Sequence, residues 1–424
     1  MLPTREVSLM DTKVELLSEC RICKSKKLSK FLEFPKLPFF DDIVSKNKIG
    51  REFVFSMKVY VCTDCYVVQS LHNVDIVDYY DNYQYIASDS LFTRKYMQIL
   101  ASKIWTEFNL EVGDRVIDIG AADGFQLQCF SQLGAMVLGY EPAHNLAKLA
   151  LDRGVPVIEK LFDEHSINTL PEEFEKVACV TLLHTFDHLQ KPIKILIDIA
   201  KILNEDTGIL VIEVHDLEQM IENQETALFG HEHTIFLNFQ TISEVLEKSG
   251  YKVINYNFID RDLRRGTSMV LVAALNSSVY KKASLPSSYT KFEYDSLDTY
   301  FDFARNVDNA FSLLRKYVET KRMKGLKLAG YGGWGRGVTF LSMAGFRQDD
   351  LIAVCDQNPM LHGNFTPETN IPIVHPDFLF DNAVDEVIVF NHAYLPEIES
   401  QQKHYIEIGG KITSVISILK GEYS

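Results

Sequence analysis

Three consecutive residues in "ALFGHEHTIF" (227–236), His231, Glu232 and His233, set two imidazoles beside a carboxylate. Such a group serves either a metal ion or proton transfer. The His-Glu-x-x-His spacing of zinc proteases needs a second histidine at position 235, and that residue is Ile235. The helical two-histidine zinc chelate is therefore excluded, and the rest of the chain has to decide what the segment does. Imidazole suits proton transfer, because its pKa lies near working pH.

Metal chemistry has a stronger candidate near the N-terminus. Four of the seven cysteines form two Cys-x-x-Cys pairs, Cys20/Cys23 and Cys62/Cys65. Two such knuckles supply the four soft ligands that tetrahedral Zn2+ takes. Free thiols and disulfides are the alternatives, and a cytoplasmic setting disfavours the disulfides. A site of four cysteines leaves no open coordination position, so the expected zinc is structural. Cys129, Cys179 and Cys355 sit in apolar runs and read as core residues.

The elements that must position this chemistry are α/β. From residue 114, short apolar runs alternate with helical patterns: "DRVIDIG", "AMVLGYEP", "VPVIEKLF", "KVACVTLLH" and "GILVIEVHD" read as strands, with helices between them. This pattern predicts a doubly wound parallel sheet, whose ligands sit at the carboxyl ends of the strands. "SMVLVAAL" and "YKVINYNFI" complete the sheet, and "FQTISEVLEKSG" is a helix with Phe239, Ile242, Val245 and Leu246 facing it. The first turn, "DIGAADG", lacks the three glycines of a dinucleotide fingerprint. Asp118-x-Gly120 followed by an acid at the end of the next strand, Glu141, instead resembles the class I S-adenosylmethionine methyltransferase pattern. Glu141 can accept both ribose hydroxyls. The cofactor-binding candidates are Asp118, Gly120, Asp123, Gly124, Glu141 and Pro142.

After about residue 283 a long polar helical stretch leads into "KLAGYGGWGRGVTFLSMAG", a strand, a glycine-rich turn and a helix. "LIAVCDQNP", "EVIVFNHAY" and "GGKITSVI" read as further strands of a second Rossmann-like sheet. Gly332, Gly333, Gly335 and Gly337 can present N–H groups to phosphate, with Arg336 adding charge; the alternative is a tight structural turn. Tyr331, Arg336 and Asn391 are the substrate-binding candidates here. The expected organisation is a small zinc-binding domain (1–78), a methyl-donor domain (79–283) and a Rossmann-like domain (284–424).

Bulk properties narrow the partners. The chain has 424 residues, 46% apolar and 24% charged, with a net charge of −15. That charge argues against a general nucleic-acid or anionic-membrane surface, while a small anionic substrate remains compatible with local cations. No apolar run approaches the ~20 residues of a membrane span. The N-terminus lacks the apolar core of a secretory signal, so a cytoplasmic location is expected.

Taken together, the motifs resemble one family over nearly the whole chain: sugar C-methyltransferases acting on nucleotide-linked keto-deoxy sugars. The likeness is carried by the paired cysteines followed by "VVQ", and by "NYQYIASDS", "DIGAADG", "TFDHL" and "HEH". "GYGGWGRG", "DQNP", "HGNFTPETNIPIV" and "FNHAY" continue it. The resemblance implies S-adenosylmethionine as cofactor, structural zinc, and a C-terminal domain that helps hold a nucleotide-sugar. It assigns the base to His233, with Glu232 orienting it or binding a sugar hydroxyl. Further catalytic groups are His188 and a tyrosine, Tyr85 or Tyr83. His231 and His184 are expected near the substrate, His231 mainly in support. His184 stands where the family commonly has Asn. Two other departures are Gly230, where many members have Tyr, and the turn Arg264–Ser268, "RRGTS", in place of His-Gly-Gly-Ser. The expected reaction is deprotonation alpha to a sugar ketone and methylation of that carbon. The alternatives are another acceptor, enolate chemistry without methyl transfer, and a non-catalytic nucleotide-binding protein.

Overall fold

The computed structural model describes residues 5–9, 12–39, 42, 44–75, 86–163, 165–264, 266–284, 292–335, 337–391 and 394–422. Strands β1 (Arg5–Leu9), β2 (Thr12–Leu16), β3 (Leu28–Pro38), β4 (Val54–Cys62), β5 (Val68–Ser70) and β6 (His72–Val74) build the N-terminal part. β1, β2 and β6 form one antiparallel sheet, and β3, β4 and β5 belong to a second. The two Cys-x-x-Cys turns lie at one end of the β3–β4 hairpin, where Leu28 pairs with Cys62.

The central sheet is made of β7 (Arg115–Ile119), β8 (Met136–Tyr140), β9 (Val157–Ile158), β10 (Cys179–Leu183), β11 (Ile209–His215), β13 (Tyr251–Tyr256) and β14 (Ser268–Leu275). Their order is β13-β14-β11-β10-β7-β8-β9. The helices between them are α1 (Leu91–Glu107), α2 (Phe125–Leu133), α3 (His144–Asp152), α4 (Pro192–Ile202), α5 (Leu217–Glu222) and α6 (Phe239–Lys248). On α6 the four residues expected to face the sheet are buried, and Asn238 and Thr241 close a reciprocal cap at its start. One feature departs from a purely parallel sheet: β14 runs antiparallel to both β11 and β13. Among the described residues of the connection 257–267 there is no α-helix to carry a crossover, and β13 and β14 meet as an antiparallel pair.

The C-terminal part opens with α7 (Leu297–Met323). A parallel sheet follows, made of β15 (Leu328–Tyr331), β16 (Val354–Cys355), β17 (Ile373–Val374), β18 (Glu386–Val389) and β19 (Lys411–Ser414), in the order β17-β16-β15-β18-β19. Helix α8 (Gly337–Ala344) leaves the glycine turn after β15. This is the second Rossmann-like arrangement that the sequence predicts.

One hydrophobic cluster joins the three parts. Phe31 packs on Tyr300 (5.3 Å between ring centroids), Phe34 on Phe229 (5.9 Å), and Phe229 on Phe303 (6.0 Å). Strand β12 (Ile235–Phe236), from the middle of the chain, adds to the N-terminal sheet by pairing with β5, Ile235 opposite Gln69 and Phe236 opposite Val68. The His-Glu-His segment therefore ends in a strand of the zinc-binding part.

Candidate active site

The four cysteines come together as expected. Their sulfurs lie within 4.8 Å of one another, with Cys20 and Cys65 3.6 Å apart and Cys23 and Cys62 3.5 Å apart. A zinc ion with bonds of about 2.3 Å sets sulfurs about 3.8 Å apart at the corners of a tetrahedron, so the cage has the size the ion needs. Nearby, Gln69 donates through Nε2 to Cys20 Sγ (3.1 Å) and accepts from the Arg21 amide (2.7 Å). These bonds fix the knuckle to β5.

At the carboxyl ends of β7 and β8, the expected cofactor residues divide into two groups. Glu141 is buried, and its two oxygens accept from the amides of Ala122 and Ala143, each at 2.8 Å. Burial raises its pKa to about 6 against the pull of those two amides. Its remaining lone pairs are the acceptors a ribose would use. Pro142, between Glu141 and Ala143, has no N–H of its own to compete for the carboxylate. Gly120 has φ 80°, and a Cβ there would stand 2.3 Å from Thr185 Oγ1. The β7 and β10 loops thus touch through a glycine. Asp118 anchors the strand end by accepting from Thr181 Oγ1 at 2.5 Å.

Asp123 and Gly124 take other jobs. Asp123 Oδ2 accepts from Arg153 (2.8 Å) and from Ser88. A Cβ on Gly124 would meet Ala150 Cβ at 2.7 Å, so its bare Cα lets the start of α2 pack on α3. Both residues shape the loop that follows β7.

The carboxyl ends of β10 and β11 carry a chain of imidazoles. His188 and His233 stand 4.7 Å apart by ring centroids, His233 and His215 5.0 Å, and His215 and His184 4.8 Å. Parallel pairing of β10 with β11, Leu183 opposite Glu213, brings His184 and His215 to one edge. His184 adopts φ 54°, a left-handed conformation that is costly for a residue with a Cβ and is concentrated at functional sites. Its Nε2 meets Glu213 Oε1 at 3.2 Å, and Ser268 donates to the same oxygen at 3.0 Å. His215 Nδ1 meets Asp187 Oδ2 at 3.1 Å. Burial lowers the pKa of His188 to about 4 and of His215 to about 3. Both rings are therefore neutral at physiological pH.

His233 is oriented by the backbone. Its Nδ1 lies 2.8 Å from the Leu228 carbonyl, which can only accept, so Nδ1 carries the proton and Nε2 keeps its lone pair. Glu232 Oε1 is 4.0 Å from that nitrogen, too far for a hydrogen bond, and the orienting role expected of Glu232 falls to Leu228. The loop is held on both sides. The Ser70 amide on β5 donates to the Thr234 carbonyl (3.0 Å), and the Thr234 amide donates to the Asp187 carbonyl (2.8 Å).

His231 points the other way. Its Nε2 donates to the Leu37 carbonyl (2.7 Å), and its Nδ1 accepts from His72 Nε2 (2.9 Å). Phe39, Phe53 and Phe55 surround the ring. With both nitrogens committed inside the protein, His231 is a buried link to the zinc-binding part; the substrate contact expected of it is corrected to support alone. Tyr331 is likewise buried, with its hydroxyl taking a bond from Gln357 (2.9 Å), so it belongs to the C-terminal core. Asn391 is exposed beside Gly332. Tyr83, Tyr85 and Arg336 lie outside the described residues. In the turn after β13, Arg264 is folded inward, with Nη1 on the Ser268 carbonyl at 2.8 Å.

Sequence reasoning did not single out Asp187, His215, Glu213 or Thr185. The signal for His215 was available, because it ends a buried strand at the ligand-bearing edge of a parallel sheet.

Comparison with known proteins agrees with this layout. A zinc binding domain model matches residues 20–80, a methyltransferase domain model 92–256, and a C-methyltransferase C-terminal domain model 266–417. The chain is 25% identical over 403 residues to the C-methyltransferase NovU of Streptomyces niveus, covering 94% of this chain and 95% of that protein. Among solved structures, the magnesium protoporphyrin IX methyltransferase of Synechocystis PCC 6803 with bound SAH is 16% identical, with a TM-score of 0.34 over 43% of this chain and 83% of that one. A SAM dependent methyltransferase from Archaeoglobus fulgidus is 15% identical, with a TM-score of 0.33 over 43% of this chain and 97% of that one. Zinc-binding, methyltransferase and C-methyltransferase C-terminal domain models match successive stretches of the sequence, and the chain is a methyltransferase enzyme similar over most of its length to a C-methyltransferase.

Proposed function

We propose that the protein transfers a methyl group from S-adenosylmethionine to the carbon alpha to the ketone of a nucleotide-linked 4-keto-deoxy sugar of the dTDP type. The observation that carries this reading is the tautomer of His233. A lone pair on Nε2 is presented at the same sheet edge as Glu141, where a ribose-binding acid belongs. S-adenosylmethionine supplies an electrophilic methyl group on a sulfonium. His233 Nε2 takes the proton from the activated carbon, and the Leu228 carbonyl steadies the imidazolium through Nδ1–H. His188, neutral and in ring contact with His233, is placed to donate to the developing enolate oxygen. A donor of this kind is worth about 2.7–4 kcal/mol. Tyr85 or Tyr83 shares that task by family resemblance. Glu232 is assigned a sugar hydroxyl, because its Oε2 is buried with no hydrogen-bond partner. Asn391 and Arg336, flanking the C-terminal glycine turn, are assigned to the nucleotide part of the substrate. We place the enzyme in the cytoplasm, where the four cysteines stay reduced and available to zinc.

The test uses methyl-labelled S-adenosylmethionine, a panel of nucleotide-linked keto-sugars and D2O. The expected result is label on a sugar carbon and, without methyl donor, deuterium uptake at the same carbon that His233→Ala abolishes. Label on a sugar oxygen, or on no sugar in the panel, would overturn the reading.

A further inference from the structure

The zinc expected of the chain is accounted for by the cysteines, yet a second group has the donors of a metal site. Asp187, His215 and His233 each offer a ligand atom, and the three atoms lie within 4.8 Å of one another. They come from three separate segments: the turn after β10, the end of β11 and the loop before β12. Two imidazoles and one carboxylate on converging elements form a facial donor set for a borderline divalent cation.

Three details favour this. His215 Nδ1 and Asp187 Oδ2 are 3.1 Å apart, and ligands on adjacent corners around a cation with bonds of about 2.1 Å stand about 3.0–3.4 Å apart. His233 donates its Nδ1–H to the Leu228 carbonyl, the outer contact that commonly orients a metal-bound histidine and leaves Nε2 for the ion. Asp187 Oδ1 is buried with no hydrogen-bond partner, an acceptor left without a donor. All three ligands of a facial set are adjacent, so donor atoms now within 4.8 Å of one another draw in toward about 3.0–3.4 Å as the ion binds. The His215 side chain is 12% exposed and gives the cluster its opening to solvent.

We propose that Asp187, His215 and His233 form a second metal site, for a borderline divalent cation such as Zn2+ or Co2+. Hard Mg2+ and Ca2+ are disfavoured by the two imidazoles. The ion takes the lone pair of His233 Nε2, so metal loading and proton abstraction exclude one another. Excess metal is then a brake on the enzyme. The binding claim stands apart from the methyl-transfer reading; only the brake rests on it.

The experiment titrates Co2+ into the full chain with its cysteine site already holding zinc. The expected result is one further equivalent of Co2+ with visible d–d bands and no thiolate charge-transfer band. Asp187→Asn and His215→Gln, each retaining one equivalent of zinc, weaken that uptake by at least about 10-fold. No uptake by the wild type overturns the proposal, as does a thiolate band from exchange into the cysteines, or uptake unchanged in both variants. If a variant loses its zinc through misfolding, the wild-type stoichiometry and spectrum still decide. For the brake, micromolar Co2+ should slow deuterium uptake by the keto-sugar, with recovery on adding a chelator that leaves the cysteine zinc in place. Full activity with the site loaded overturns the brake. If enzyme holding only its cysteine zinc exchanges no sugar proton, the proposed function fails, while cobalt uptake still judges the site.

Discussion

The molecule contains a mainly parallel central sheet and a parallel C-terminal sheet, and their carboxyl edges differ. The central edge gathers Glu141, Asp187, His184, His188 and His215 at or just beyond the ends of β8, β10 and β11. The C-terminal edge is filled by its own chain. A Cβ on Gly337 would strike the Gly332 carbonyl at 2.4 Å, one on Gly333 would meet Val354 at 2.6 Å, and the Tyr331 hydroxyl is taken by Gln357. The glycines there serve close packing of α8 on β15. A shared fold therefore does not make two equivalent sites; reactivity lies where polar groups remain unsatisfied by the protein itself.

The largest test of that contrast is His233→Ala. Losing the general base should lower kcat for methyl transfer by about 10²–10⁴-fold, with S-adenosylmethionine affinity unchanged by calorimetry. Glu141→Ala should do the reverse. It removes two charge-assisted hydrogen bonds of about 1.5–3 kcal/mol each, so methyl-donor affinity should fall by about 100-fold or more. Because burial holds the Glu141 pKa near 6, the wild-type affinity should also decline as pH drops through about 6, where the carboxylate gains a proton. Glu141→Gln should show no such decline in that range.

Gly120→Ala comes next. The left-handed backbone alone costs about 1–2 kcal/mol, and the approach to Thr185 adds to it, so cofactor binding should weaken by at least about 5-fold. Pairing it with Thr185→Ala should recover part of the loss. The smallest effect is expected at the other sheet. Asn391→Ala, at an exposed position, should change stability by no more than about 0.5 kcal/mol, and any effect should be on KM for the nucleotide-sugar. A loss of kcat comparable with that of His233→Ala would end the contrast.

The legible part of the site was the part written locally. Gly120 and Glu141 follow strand ends in a short sequence window, and the Cys-x-x-Cys spacing states its own geometry. Asp187 was hidden, and although the end of a buried strand marked His215, only the register of β10 against β11 brings the two beside His233. Within the His-Glu-His run itself, adjacency misled. His231 and His233 are two residues apart but lie in an irregular loop, so no strand alternation keeps them on one face, and they turn to opposite sides. The antiparallel β14 was missed because apolar runs reveal strands without their direction.

One pairing has a consequence for how the protein is assembled and watched. β12 joins β5 across a long separation in the chain, so the loop bearing His233 is anchored by a non-local pairing to the strand that follows the second cysteine knuckle. Elements held by few backbone hydrogen bonds open locally at lower free energy than the core, and β12 pairs with β5 through two residues only. Amide hydrogen exchange at Ile235 and Phe236 should then act as a gauge of zinc content, rising on chelation before the central sheet loosens. The integrity of a distant metal would be readable, residue by residue, at the doorstep of the reaction.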